Sequence, residues 1–438
     1  MKILRTDHDR DAVIELLNRR PEHQQGTALT LTVAGIIETV RTGGDEALLK
    51  LTAKFDGISL TPEQLRVTAA EREQALQMVS SDVIDAIRLA KENIIAFHRK
   101  QLPKDWLDIK SDGVILGQRY LPVEAAGLYV PGGVAGTTPL VSSVLMNALP
   151  ALVAGVERII ICTPPTQDGT VNPYLIAAAV ECGITEIYKV GGAQAIAAMA
   201  YGTETIAPVN VIVGPGNQYV TEAKRQVYGF VGLDMLAGPS ELLIIADSDN
   251  DPQWVAADLL SQAEHGPVNE AGSFLLTPDP GLAAAVAEAV REQLAVLPRR
   301  TIAEASLEKS GGIVITTSLD EAFELANFTA PEHLELLVKD PWNHLHRVKH
   351  AGAVFIGPYS TEPIGDYVAG TNHVLPTNGT ARFASGLNVD HFIKKTSIIS
   401  YSSTGLQQNG PAAIKISEVE GLGAHGNAVK VRLDRLNS

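Results

Sequence analysis

The sequence predicts an α/β protein built from two partly interleaved, Rossmann-like parallel-sheet domains. A helical N-terminal region precedes them and a small C-terminal extension follows. Three observations lead there. From residue 113 onward, short β-rich runs alternate with helical ones, the rhythm of βαβ units. The rhythm runs twice, over 126–229 and again over 241–357. Its strands include continuous apolar runs such as RIIIC and LLIIA, which suit a sheet covered on both faces.

The elements follow in order. Residues 1–110 read as helices at 7–17, 32–55 and 69–99, the second broken near Gly43 and Gly44. Ala75, Val79, Val83, Ile87 and Ile94 recur at helical spacing in the third. His8, His23 and His98 read as surface or packing residues. The first α/β round has strands at 126–131, 156–165, 185–190 and 209–214, with helices at 138–154, 173–182, 193–201 and 216–229. The second has strands at 241–247, 272–277, 312–317, 333–338 and 351–357, with helices at 251–265, 280–296, 319–327 and 341–349. Residues 358–386 are rich in Gly, Pro, Thr and Asn, and an irregular stretch of that length is usually functional. A short strand at 397–401, a polar linker near 407–411 and the amphipathic EVEGLGAHGNAVKVRL (418–433) complete the chain, the last reading as an extension that docks on something else, another subunit being one candidate. The domains are then 1–110, mainly helical; 111–238, first α/β; 239–380, second α/β; and 381–438, C-terminal extension.

Composition sets bounds. The 438 residues match about three domains at ~150 residues each. A net charge of −15 and the lack of any Lys/Arg-rich run exclude a nucleic-acid partner. Cys162 and Cys182 form no disulfide framework and suit a reducing cytosol, each as a packing residue. The N-terminus shows no signal peptide, and no stretch approaches the ~20 apolar residues of a membrane span, so a cytoplasmic location is expected.

The chemistry-bearing motifs are spread over the chain. Helix 251–265 has Asp251 as N-cap, Pro252 at its first position and Gly266 and Pro267 as its stop. Trp254, Val255, Leu259 and Leu260 give it an apolar side, while Gln262 and His265, three apart, share a face of its last turn. That pair reads either as a capped, solvent-facing end or as half of a metal site. APEH (330–333) sets Glu332 beside His333, two proton acceptors of different basicity. In a regular strand they would face opposite ways, so they cooperate only where the chain is irregular. Asp366, His373, Glu420 and His425 are further oxygen and imidazole groups in Gly-rich segments. With Gln262 and His265 they form a thiolate-free set, which suits an open catalytic zinc site. Ser240, in AGPSE, sits on a rigid turn before a buried strand and could bind substrate, but it lies in no G-x-S-x-G elbow. The glycine turns VPGG (130–133), VGGAQ (190–194) and VGPGN (213–217) follow strands, where a parallel sheet receives nucleotides. None completes G-x-G-x-x-G, since Tyr219 stands at the third glycine's place.

The segments YVPGG, VGGAQA, GPGN, AGPSE, DLLSQAEH, APEHLEL, GDYVAGTNHVLPT and EGLGAH, in this order, resemble the histidinol dehydrogenase family over residues 113–433. The resemblance implies a zinc enzyme that oxidises L-histidinol through L-histidinal to L-histidine with two NAD+, closing histidine biosynthesis. It implies zinc ligands Gln262, His265, Asp366 and His425, one ion per subunit. It implies an acid–base pair Glu332 and His333, substrate contacts from Ser240, His373 and Glu420 besides the metal ligands and His333, and NAD contacts from Tyr129, Gln194 and Asn217. It also implies a homodimer in which Glu420 and His425 enter the partner's site. In that scheme His333 takes protons during both oxidations and Glu332 activates the water between them. A related dehydrogenase of another small alcohol, a zinc hydrolase using Glu332, and a non-catalytic binding protein are the rival readings. The EGLGAH segment, the glycine turns and the Glu–His pair respectively argue against them.

Overall fold

The computed structural model describes residues 1–19, 26–132, 139–266 and 271–438. His23, Gly133 of the first glycine turn, the expected helix start at 138 and the helix-stopping Pro267 lie outside the described residues. The chain divides into two compact units, Met1–Gln101 with Glu124–Phe392, and Leu102–Val123 with Ile393–Ser438.

The larger unit holds two parallel sheets. The first has strands β4 (Ala125–Tyr129), β5 (Arg158–Thr163), β6 (Glu186–Lys189), β7 (Val211–Val213) and β8 (Gly232–Leu233) in the order β6-β5-β4-β7-β8. The second has β9 (Glu241–Ala246), β10 (Gly272–Thr277), β11 (Gly311–Ile315), β12 (His333–Leu337) and β13 (Ala353–Ile356), with β1 (Lys2–Arg5) added at one edge, in the order β1-β11-β10-β9-β12-β13. In both, the first strand of the round is central and the winding reverses between it and the fourth. This is the doubly wound pattern that repeated right-handed βαβ units produce. Lys2 pairs with Gly312, so the chain begins in the second sheet and then builds the first, which is the interleaving expected.

Strand alternation builds the second core. Leu242, Ile244, Leu275, Ile313 and Leu337 face helices α9 (Pro252–Ala263), α10 (Pro280–Leu294) and α11 (Arg300–Ser310). Leu243, Ile245, Phe274, Val314, Leu334 and Leu336 face α1 (Arg10–Leu17) and α12 (Leu319–Thr329). Strands buried on both faces must be apolar throughout, and β9 through β12 are wholly buried. On the first sheet, Val33, Ile36, Ile37, Val40 and Leu48 of α2 (Thr27–Asp56) pack with residues of α7 (Gly192–Tyr201) and α8 (Gln218–Val227). Helices α3 (Ala69–Met78) and α4 (Ser81–Arg99) pack on α5 (Val141–Ala154) and α6 (Pro173–Glu181). Gly44 breaks α2 at φ +54°, where Glu204 accepts the Asp45 N–H at 2.7 Å.

The smaller unit is an antiparallel sheet, β14-β3-β2, of Ile393–Ser400, Ile115–Pro122 and Trp106–Ile109, with helices α14 (Ser403–Val419) and α15 (Gly423–Leu436) packed on each other. The linker expected near 407–411 is instead the middle of α14, with Pro411 inside it. Gly410 is what permits this, because a Cβ there would press on Val429 and Leu433 of α15 at 3.0 Å. Close helix packing overrides the Gly-Pro break. Two further expectations change. Trp254 leaves the apolar side of α9: it is half exposed and lies 5.9 Å from the Tyr359 ring. Within the irregular stretch 358–386, Glu362–Tyr367 forms a short helix, α13.

Candidate active site

The chemistry-bearing residues gather at the amino ends of β9 and β12, opposite the strand ends where a doubly wound sheet usually binds ligands. Helix α12 ends at Ala330, in the left-handed region at φ +51°, and Pro331 forbids its continuation. Glu332 therefore precedes the regular strand and is free of its alternation. His333 opens β12 and pairs with Leu242 in register, which puts its ring on the α9 side. Ser240 lies on the same side of β9 by the same alternation. The local irregularity that Glu332 and His333 need in order to cooperate is thus present.

The contacts follow. The Ser240 hydroxyl donates to Glu332 Oε2 at 2.5 Å and lies 3.3 Å from Gln262 Oε1. The Glu241 N–H donates to the same Glu332 oxygen at 3.1 Å. His333 Nδ1 is 3.7 Å from Glu332 Oε2 and 3.2 Å from the Glu241 carbonyl, and its Nε2 is 3.7 Å from Asp366 Oδ1. Each imidazole nitrogen thus faces a carboxylate, and among the described residues Nε2 has no hydrogen-bond partner. His373 Nδ1 meets the Asp366 carbonyl at 3.1 Å. Gln262, on α9, is fully buried, and its Nε2 has no hydrogen-bond partner. His265, Glu362 and Asp366 each offer an atom within 4.8 Å of the others, the one cluster among the described residues with this metal-binding geometry.

Burial and neighbouring charge set the protonation. Burial pushes Glu332 up to about 7. Burial works to lower His333, but the Glu332 and Asp366 carboxylates outweigh it and carry it up to about 10 with no cation present; a cation held by Asp366 would offset that charge and free the imidazole to accept a proton. Burial lowers both His265 and His373. His265 is exposed, Glu362 is buried and Asp366 is half-buried. Burial works to raise Asp366, but the nearby His333, His373 and His265 imidazoles bring it below the usual carboxylate value. Neutral imidazoles beside an ionised carboxylate are the forms a metal takes.

Several residues here escape a sequence reading. Glu362 is buried, accepts from the Ser261 hydroxyl at 3.0 Å, and is pushed up to about 8 by burial and then by Asp366. Glu335 accepts the Glu362 N–H at 2.9 Å, and burial, with Asp258 next, raises it well above the usual value. Arg19 donates to Glu241 at 2.8 Å beneath the pair. A carboxylate inside the apolar run HLELL, and another four residues before Asp366, were the available signals.

The glycine turns occupy the carboxyl edge of the first sheet. Tyr129 ends β4, is buried, and accepts the Gly192 N–H of α7 on its hydroxyl at 3.1 Å. Gln194 is buried in α7. Asn217 is exposed and caps α8, its Oδ1 accepting from Tyr219 and Val220 at 3.0 and 3.1 Å. Glu420 and His425 belong to the smaller unit, at the C-cap of α14 and the first turn of α15, and both are exposed.

A doubly wound α/β fold with a buried acid–base pair beside a nitrogen–oxygen cluster is the framework of an α/β enzyme. A family model described as histidinol dehydrogenase matches residues 18–433. The histidinol dehydrogenase of Thermosynechococcus vestitus is 55% identical over 402 residues, 92% of each chain. Histidinol dehydrogenase 2 of a Nostoc species is 50% identical over 435 residues, 99% of each. A crystal structure of histidinol dehydrogenase from Elizabethkingia anophelis superposes with a TM-score of 0.93 at 41% identity, covering 100% of this chain and 99% of that one. The chain belongs to the histidinol dehydrogenase family, and it is an oxidoreductase acting on histidinol in histidine biosynthesis. No helix among the described residues is long and apolar enough to cross a membrane.

Proposed function

We propose that this chain carries out the zinc-dependent, NAD-linked, four-electron oxidation of L-histidinol through L-histidinal to L-histidine. The observation that carries the reading is the placement of His333, with Glu332 at one ring nitrogen and Asp366 of the nitrogen–oxygen cluster at the other, each 3.7 Å away. The cluster fits a divalent cation: His265 and Asp366 offer ligand atoms within 4.8 Å of one another, and the buried Gln262, one turn before His265, would offer its amide oxygen, which now takes only a long 3.3 Å hydrogen bond from Ser240. Gln262, His265 and Asp366 would hold the ion, with His425 completing the set from the partner copy of a homodimer. Zinc, when bound, orients the substrate through its amine and imidazole. NAD+, when bound at the carboxyl edge near Tyr129, Gln194 and Asn217, accepts a hydride in each oxidation.

This chain's own residues then divide the proton work. His333 takes the hydroxyl proton of the alcohol in the first oxidation. Glu332 takes a proton from the water that attacks the aldehyde. A carboxyl raised to about 7 by burial suits that exchange at neutral pH. His333 takes the hydroxyl proton of the hydrate in the second oxidation. Ser240, donating to Glu332, fixes its carboxyl, and His373 and the partner's copy of Glu420 contact the substrate. The protein acts in the cytoplasm. The test is His333→Asn: both oxidations slow, roughly 10²–10⁴-fold each, in single-turnover records of NADH formation. A His333→Asn protein that runs either oxidation at the wild-type rate overturns the assignment.

A further inference from the structure

Among the described residues, Lys224 and Asp234 are the most deeply buried ion pair of the first sheet, and nothing in the chemistry above uses them. Their side chains are 3% and 0% exposed. Lys224 Nζ meets Asp234 Oδ1 at 2.5 Å and donates to the Gly214 carbonyl at 2.9 Å. The other Asp234 oxygen accepts the Gly214 N–H at 2.8 Å. Between them, the two side chains take both backbone groups of one glycine.

That glycine opens the turn VGPGN at the carboxyl end of β7. It sits at φ +113°, and a Cβ would fall on the Tyr129 carbonyl oxygen. Its position is thus fixed against the end of β4 by close approach and against α8 by the ion pair. Pro215, its φ fixed by its ring, and Gly216, which packs closely on Val220, lead to Asn217. Asn217 spends its Oδ1 on capping α8, which leaves its Nδ2 as a donor. The Gly214 clamp therefore sets where that donor stands relative to Tyr129. A well-packed apolar pair would serve stability as well as a buried ion pair. What an apolar pair cannot do is hold a backbone N–H and a carbonyl in one geometry.

We infer that Lys224 and Asp234 are positioning residues for the dinucleotide: they hold the Gly214 turn in its cofactor-ready form through hydrogen bonds to its backbone. The inference rests on the reading that NAD+ binds at this sheet edge. A turn already ordered before binding loses less freedom when the ligand arrives, so the clamp strengthens cofactor binding rather than the chemical step.

The experiment measures NAD+ binding by titration calorimetry and steady-state KM for NAD+ in the full-length, zinc-loaded protein. In the double variant Lys224→Met with Asp234→Leu, no buried charge is left unpaired. Its Kd and KM for NAD+ rise about tenfold or more, the loss of charged hydrogen bonds to the turn. Metal content and the KM for histidinol stay near wild type. Asp234→Asn keeps an acceptor for the Gly214 N–H and shows a smaller rise, which separates turn geometry from general loosening. A folded double variant with wild-type NAD+ affinity overturns the inference. Should the double variant not fold, Asp234→Asn decides alone, and unaltered NAD+ affinity there overturns it. No NAD+ binding to the wild-type protein would instead defeat the cofactor reading itself.

Discussion

Glu332→Gln separates the two oxidations. The substitution keeps the side chain's shape and one oxygen for the Ser240 hydroxyl and the Glu241 N–H, which now sit 2.5 and 3.1 Å from Oε2. It removes the charge 3.7 Å from His333 Nδ1. At an effective dielectric constant of ~20 that charge attracts an imidazolium by about 4.5 kcal/mol. The burial of His333, which works to lower its pKa, is then opposed mainly by Asp366, and the imidazole releases its proton at a lower pH than in the wild type. The first oxidation needs only that imidazole, so it proceeds near the wild-type rate, and any acid limb it shows moves to lower pH. The second needs water activated by a carboxylate, so it slows roughly 10²–10⁴-fold. A single-turnover record of NADH formation should show one fast equivalent followed by a slow one, where the wild type delivers two. Equal slowing of both phases, or a slow first phase alone, would refute the division of labour.

Two further outcomes are expected. Gln262→Ala should lower bound zinc after dialysis by at least about tenfold, read by elemental analysis, with secondary structure retained; unaltered zinc content would make Gln262 a packing residue. Glu222 is held at about 2 by the Arg225 guanidinium at 2.6 Å, against the effect of burial. Its contribution to stability is full above the ordinary glutamate pKa and is lost as pH falls toward about 2. Arg225 is half exposed and solvent-screened, so the contribution is about 1 kcal/mol. Urea titrations of Glu222→Gln should therefore fall short of wild type at neutral pH and converge with it in acid.

The fold was legible where apolar runs were long enough to carry a period. ELLIIA, GSFLLT and HLELL each supply the continuous burial that a doubly covered parallel strand requires. KILR does not, because four residues, two of them cationic, look like a coil until β11 supplies a partner. WLDI in β2 is wholly exposed, so no burial pattern marked it. Gly410 and Pro411 read as a break because helix propensity is local, whereas the fit of Gly410 against Leu433 is not. At the site, Gln262, Glu332 and His333 stood out by spacing and adjacency. Glu335 and Glu362 did not, because a buried carboxylate shows itself only through its neighbours, and those neighbours come from β12, α9 and α13 together. The site's position at the amino edge of the second sheet was equally invisible: it depends on where α12 ends and Pro331 turns the chain.

The central claim is tested most directly by the stoichiometry of NADH formation. The zinc-loaded protein with limiting L-histidinol and excess NAD+ should yield two equivalents of NADH and one of histidine. A chelator should abolish the signal and added zinc restore it. One equivalent with histidinal as product, no NADH at all, or full activity after complete zinc removal would contradict the account.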